Sequence, residues 1–193
     1  ENINVSKGVT LQGDTAPTSA TPVVVEGRIT VSADDVTVQQ FKVTPGTTTG
    51  PAAAIQVSAS SATIAHNVIT DMSGFVVGTI KGIWVYNAAS TPITNISLTE
   101  NAISGITNTG SGADGIMIQG VVAGVSVYRN TISGITAGGW AYGIEVTPTD
   151  VDPWTSPADI NIQENILSTI NNVPYQEEEP HLPYPGTGVI IGA

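Results

Sequence analysis

Acidic side chains offer the first candidates for chemistry. Asp150 and Asp152 stand one residue apart in a segment of turn composition, where two carboxylates can converge on one hard cation, so calcium is the cofactor this pair would hold. Asp34 with Asp35, and Glu177 with Glu178 and Glu179, are further acidic clusters in loop-like segments and read as solvated runs. The basic residues are Lys7, Arg28, Lys42, Lys81 and Arg129, no two in one motif, so a developing anion has few sources of stabilisation. A polysaccharide lyase or hydrolase needs carboxylates and a cation meeting in one groove, and the set that comes nearest is Asp150, Asp152, Glu145 and Arg129. Cysteine is absent, which removes thiolate nucleophiles, thiolate metal sites and disulfides. His66 and His181 lie too far apart in register to pair, neither sits in a nucleophile elbow, and zinc is not expected. Phosphate loops and dinucleotide fingerprints fail because the glycines precede no helix. No catalytic residue is assigned, and the chain reads as a non-enzyme with a polysaccharide lyase or hydrolase as the alternative.

Trp140, Tyr142, Trp154, Tyr175 and Tyr184 occupy inter-strand segments, where aromatic rings can stack on sugars or pack against a protein partner, so glycans are a second class of partner after the chain itself. Two sequons, Asn4-Val5-Ser6 and Asn95-Ile96-Ser97, would accept N-glycans on an exported chain. Sixteen acidic residues against five basic ones give a net charge of -11, which repels nucleic acid and anionic lipid. No apolar run approaches the roughly 18 residues that a membrane-spanning helix needs, so membrane insertion is not expected. Charged residues make up 11% of the 193, against about 25% in ordinary soluble domains, while Gly, Thr, Val, Ile, Ser and Asn dominate. That is the vocabulary of an all-β chain.

These residues are positioned by a repeat. Ile64-Ala65-His66-Asn67-Val68-Ile69, Leu98-Thr99-Glu100-Asn101-Ala102-Ile103, Val127-Tyr128-Arg129-Asn130-Thr131-Ile132 and Ile162-Gln163-Glu164-Asn165-Ile166-Leu167 share one pattern. Each is followed by Gly, apolar, any, apolar: Gly82-Ile83-Trp84-Val85, Gly115-Ile116-Met117-Ile118, Gly143-Ile144-Glu145-Val146 and Gly188-Val189-Ile190-Ile191. Earlier copies are weaker, at Val36 to Val43 with Ala54 to Val57, and at Val9 to Gln12 with Val23 to Val25. Short alternating segments rich in β-branched residues, separated by Gly, Pro, Ser and Thr, predict strands with one buried face. A period near 30 residues with no helix predicts a single all-β domain over 1–193, a parallel and right-handed β-helix solenoid of about six turns. Its early turns over 1–61 are weak, its clear repeats run over 62–193, and a loop is inserted at 171–187.

Asn-x-apolar followed by Gly-apolar-x-apolar resembles the parallel β-helix repeat of the pectate-lyase-like superfamily, most nearly its archaeal and bacterial surface-layer and sheath proteins. The resemblance implies that Asn67, Asn101, Asn130 and Asn165 form a stacked side-chain ladder at a bend. Asn suits such a bend because it tolerates left-handed backbone geometry and both donates and accepts along the stack. His66, Glu100, Arg129 and Glu164 share the preceding column, which predicts an ion-pair ladder with Arg129 between two carboxylates.

Glu1 in place of a Met is expected of a processed or trimmed chain. The sequence opens on an alternating segment and closes on a strand, with neither the helix nor the charged loop that usually covers a solenoid's last rung. Ile3 and Val5 at one end, Val189, Ile190 and Ile191 at the other, and the outward Trp84 and Met117 are therefore the expected assembly interface of a head-to-tail homopolymer. The function expected from all this is a structural subunit of an extracellular sheath, surface layer or filament, with a glycan-binding adhesive module as a further alternative.

Overall fold

A computed structural model describes residues 2–13, 22–50, 52–148 and 156–172, together with the backbone of 187–191. Among these residues there is no helix, and 21 strands, numbered along the chain, form three parallel sheets. The first sheet stacks β1 (Asn2–Val5), β4 (Arg28–Val31), β8 (Ala52–Val57), β12 (Ile80–Asn87), β15 (Ala113–Gly120), β18 (Ala141–Thr147) and β21 (Thr187–Ile191) in that order. The second stacks β2 (Thr10–Gln12), β5 (Thr37–Gln39), β9 (Thr63–Ala65), β13 (Ile93–Thr99), β16 (Val122–Tyr128) and β19 (Ala158–Gln163). The third holds β3 (Val24–Val25), β6 (Lys42–Val43), β10 (Val68–Ile69), β14 (Ala102–Asn108), β17 (Thr131–Ala137) and β20 (Ile166–Asn172), with β7 (Gly46–Thr48) and β11 (Met72–Gly74) paired alongside. The chain visits first, second and third sheet in turn and returns to the first, which makes the molecule an all-β parallel solenoid.

The alternation of apolar residues sets the inner face. Ile29, Ile55, Ile83, Ile116 and Ile144 stand in register on successive strands of the first sheet, and none exposes surface. Val38, Ile64, Leu98 and Val127 do the same on the second sheet, and Val43, Ile69, Ile103 and Ile132 on the third. Burying each such side chain contributes about 1.5–3 kcal/mol, so the stack of β-branched and leucine side chains at equivalent positions is what fixes the register of one coil on the next.

The repeated Gly has a packing reason. A Cβ on Gly115 would stand 2.4 Å from Ile132 Cγ2 and 2.6 Å from the Gly143 carbonyl, and one on Gly82 would meet Ile103 Cγ2 at 2.7 Å. Gly82 and Ile83 therefore both turn to the core. That extra inward residue lets Lys81 and Trp84, three positions apart, both face out.

Backbone geometry differs from the sequence expectation at the Asn bend. The Asn residues themselves keep negative φ. The left-handed conformation falls on the residue before each of them: Gln40, His66, Glu100, Arg129 and Glu164, all with φ of 54–63°. Two more left-handed columns recur from coil to coil, Asp35, Ser61, Asn95, Gly124 and Asp159 in one, and Asp71, Gly105, Gly134 and Thr169 in the other; Asp35, Ser61 and Asp71 lie just outside strands and the rest within them.

Candidate functional site

The outer face of the first sheet gathers the molecule's chemistry. Lys81, Asp114 and Tyr142, each just before the Gly of its repeat, are register partners on β12, β15 and β18. Trp84, Met117 and Glu145 form the next column, and Tyr86, Gln119 and Thr147 the third. With Gly78, Thr79 and Trp140 from the connecting segments, most of these side chains line a cleft of about 560 Å³. Trp84 is half-buried and Met117 buried, so the pair forms the cleft's floor rather than an open apolar stripe. The Trp84 and Tyr86 rings stack at 4.6 Å with an interplanar angle of 27°, and Trp140 is 42% exposed at the rim.

Beside this aromatic surface lies a polar cluster. Lys81 is only 5% exposed; its Nζ donates to the Thr79 carbonyl at 3.0 Å and sits 4.2 Å from the centroid of the Trp84 ring. Asp114 is completely buried. Burial, and next the Glu145 carboxylate, push its carboxyl well above the usual range, against a smaller pull from Lys81. Neither oxygen of Asp114 meets a donor in good hydrogen-bond geometry, although the Glu145 carboxyl is near enough for the two acids to share a proton. Tyr142 is raised as well, by burial first and then by Glu145 and Asp114. Two neighbouring carboxyls, one of them shifted toward its neutral form, suit acid-base chemistry, but Asp114 is enclosed and does not line the cleft, so among the described residues Glu145 is the carboxylate that can touch a ligand there.

The bend between the second and third sheets carries two ladders. Asn67, Asn101 and Asn130 are buried. The Oδ1 of each Asn from Asn101 onward accepts from the Nδ2 of the Asn one coil below, at 3.1 Å for Asn101, 3.0 Å for Asn130 and 3.0 Å for Asn165, and from that residue's backbone N–H at 3.1, 3.0 and 2.8 Å. Each Nδ2 also donates to a main-chain carbonyl of the coil below: Val38, Ile64, Leu98 and Val127. In the exposed column beside them, His66 Nδ1 lies 3.2 Å from Glu100, and Arg129 Nε lies 2.8 Å from Glu164. The Arg129 hydrogen bond, opposed in part by desolvation, holds the Glu164 carboxyl below its ordinary range.

Several residues named from sequence fall elsewhere. Asp150, Asp152, Trp154, Tyr175 and Tyr184 lie outside the described residues. Glu145 and Arg129, proposed for one groove, are separated, because Arg129 sits at the bend between the second and third sheets while Glu145 lies on the first. Among the described residues no three His, Asp or Glu side chains are placed to hold a metal ion. Asn4 and Asn95 are both exposed, and Asn4 accepts from Ser32 Oγ at 3.1 Å. Ile3 and Val5 line a hollow of about 230 Å³ at the first coil, while Val189, Ile190 and Ile191 belong to β21, which pairs with β18. Sequence reading passed over Asp114, Lys81 and Gln119 as site residues. Their signal is the column one position before, and four after, each repeat Gly.

Comparison with protein-family models, with curated proteins and with solved structures finds no match in any of the three.

Proposed function

We propose that this chain is a cell-surface β-solenoid that binds glycan along its first sheet, favouring neutral or amino-sugar chains over polyuronates. The observation that carries the reading is the cleft in which Trp84, Tyr86, Trp140 and Tyr142 stand beside Lys81, Gln119, Glu145 and Thr147. Sugar rings stack on aromatic faces while hydroxyls take hydrogen bonds from polar neighbours, and a cleft of about 560 Å³ is in the usual range for small-molecule sites. The net charge of -11 disfavours an anionic polymer. Glu145 as the one carboxylate among the described lining residues favours binding over hydrolysis, which needs two accessible acids. The repeat's resemblance to pectate-lyase-like and surface-layer β-helices supports an extracellular setting. A glycan array carrying neutral, amino-sugar and uronate chains tests this, with binding reduced at least tenfold in Trp140→Ala. Binding that is absent, or indifferent to Trp140→Ala, rejects the reading.

Stacking of copies end to end, as a sheath or filament subunit, is the second reading. It is favoured by the apolar hollow beside Ile3, Val5 and Leu11 and by Ile160, Ile162, Leu167 and Ile170, which are only partly buried on the far coil. Electron microscopy at neutral pH decides it: filaments or rings support stacking, and uniform monomers reject it.

A further inference from the structure

We propose that Lys81 and Asp114 become joined side chain to side chain by an isopeptide bond after folding, with Glu145 carrying the proton. The two residues are register partners on β12 and β15, so their backbones are about 4.8 Å apart and both side chains leave the same face of the sheet. Both are buried, Lys81 at 5% and Asp114 at 0% exposure, and Glu145 stands on β18 beside them. An ordinary buried ion pair would give the Asp114 oxygens cationic donors, yet neither oxygen meets one in good geometry, and the neighbour near enough to share a proton is the Glu145 carboxyl. A buried polar group left so costs about 1–3 kcal/mol, and conversion of the carboxyl into an amide expels one of the two oxygens as water.

The site also favours the reactants. A water-poor environment prefers a neutral amine and a neutral carboxylic acid to their ions, and burial, then Glu145, shift Asp114 toward its protonated form. Lys81 Nζ donates to the Thr79 carbonyl over the Trp84 ring, and to attack its register partner Asp114 it would leave that carbonyl by rotation of its four-carbon stem. The amine nitrogen attacks Cγ of Asp114, the nitrogen–carbon bond forms, and a proton passes from nitrogen through the Glu145 carboxyl to the departing hydroxyl. The carbon–oxygen bond breaks and one water leaves. Nothing is oxidised or reduced, and Glu145 ends as it began. The product would staple two successive coils on the face that carries the cleft. It does not depend on glycan binding or on stacking.

Intact mass under denaturing conditions is the test. The folded protein is expected about 18 Da below the mass of its sequence, the loss of one water. Trypsin should fail to cut after the linked Lys81 and release fragment 43–129 lighter by the same water, since Lys42, Lys81 and Arg129 are the cleavage sites there. Lys81→Met should give fragment 43–129 with no loss of water, Asp114→Ala should be cut after Lys81 into 43–81 and 82–129, and Glu145→Gln should remain mostly unlinked. Full mass in the native sequence overturns the proposal. So does a loss that persists in Lys81→Met, which would assign the dehydration to a cyclic imide at Asp114-Gly115. The native protein alone decides the first point, so a variant that fails to fold leaves the test intact.

Discussion

Replacing Asn101 by Ala removes one rung of the amide ladder from the middle of the stack. Asn101 Oδ1 accepts from the Asn67 backbone N–H and from Asn67 Nδ2, both at 3.1 Å, and its Nδ2 donates to Asn130 Oδ1 at 3.0 Å and to the Ile64 carbonyl at 2.8 Å. Four hydrogen bonds at about 1 kcal/mol net each, with the buried Asn67 N–H losing its acceptor, give an expected destabilisation of about 3–5 kcal/mol. That is a large fraction of the roughly 5–15 kcal/mol by which domains are held folded. The assay is equilibrium denaturant unfolding followed by far-ultraviolet circular dichroism, with two controls. Asn165→Ala should cost less, because Asn165 is only half-buried and water can replace its partners. Glu100→Ala, one residue away but exposed, should stay within about 0.5 kcal/mol of the unsubstituted chain. If Asn101→Ala costs no more than Glu100→Ala, the ladder does not hold the coils together and the reasoning fails.

The glycines and the charged column give further tests. Gly115→Ala places a methyl 2.4 Å from Ile132 Cγ2 and should destabilise by about 1–3 kcal/mol in the same unfolding assay. Thr169, β-branched and at φ 53°, shares its column with Gly105 and Gly134, so Thr169→Gly is expected to raise the thermal midpoint, where a neutral position would lower it. Glu164 is held below its ordinary range by Arg129, so its contribution is present above the unfolded-state value and lost as pH falls through the folded one. The stability difference between the native chain and Glu164→Gln should accordingly shrink in acid and in high salt, and a difference independent of both would contradict the pairing.

The periodic features of the fold were readable because periodicity is what a stacked coil imposes. Asn67, Asn101, Asn130 and Asn165 recur because their side chains bond from coil to coil, and Gly82 and Gly115 recur because a Cβ there enters the core. The earliest coils are faint for a physical reason too: β2, β3, β5 and β6 are two or three residues long, too short for alternation to register. The left-handed bend was assigned to Asn and belongs to the residue before it. Gln40, His66, Glu100, Arg129 and Glu164 share no side-chain type that advertises positive φ; the stacked coils on either side hold the backbone there. The cleft was hidden differently. Lys81, Asp114 and Tyr142 look unrelated along the chain and become neighbours only once the register of the first sheet is known.

Calorimetric titration with a series of neutral oligosaccharides from two to six sugars measures whether the first sheet holds a glycan. A cleft lined by Trp84, Tyr86 and Trp140 should show heats of binding, with affinity climbing as the ligand lengthens and levelling once the aromatic floor is covered. An absence of heat for every length at millimolar ligand, or an affinity that ignores length, would contradict a glycan site on the first sheet.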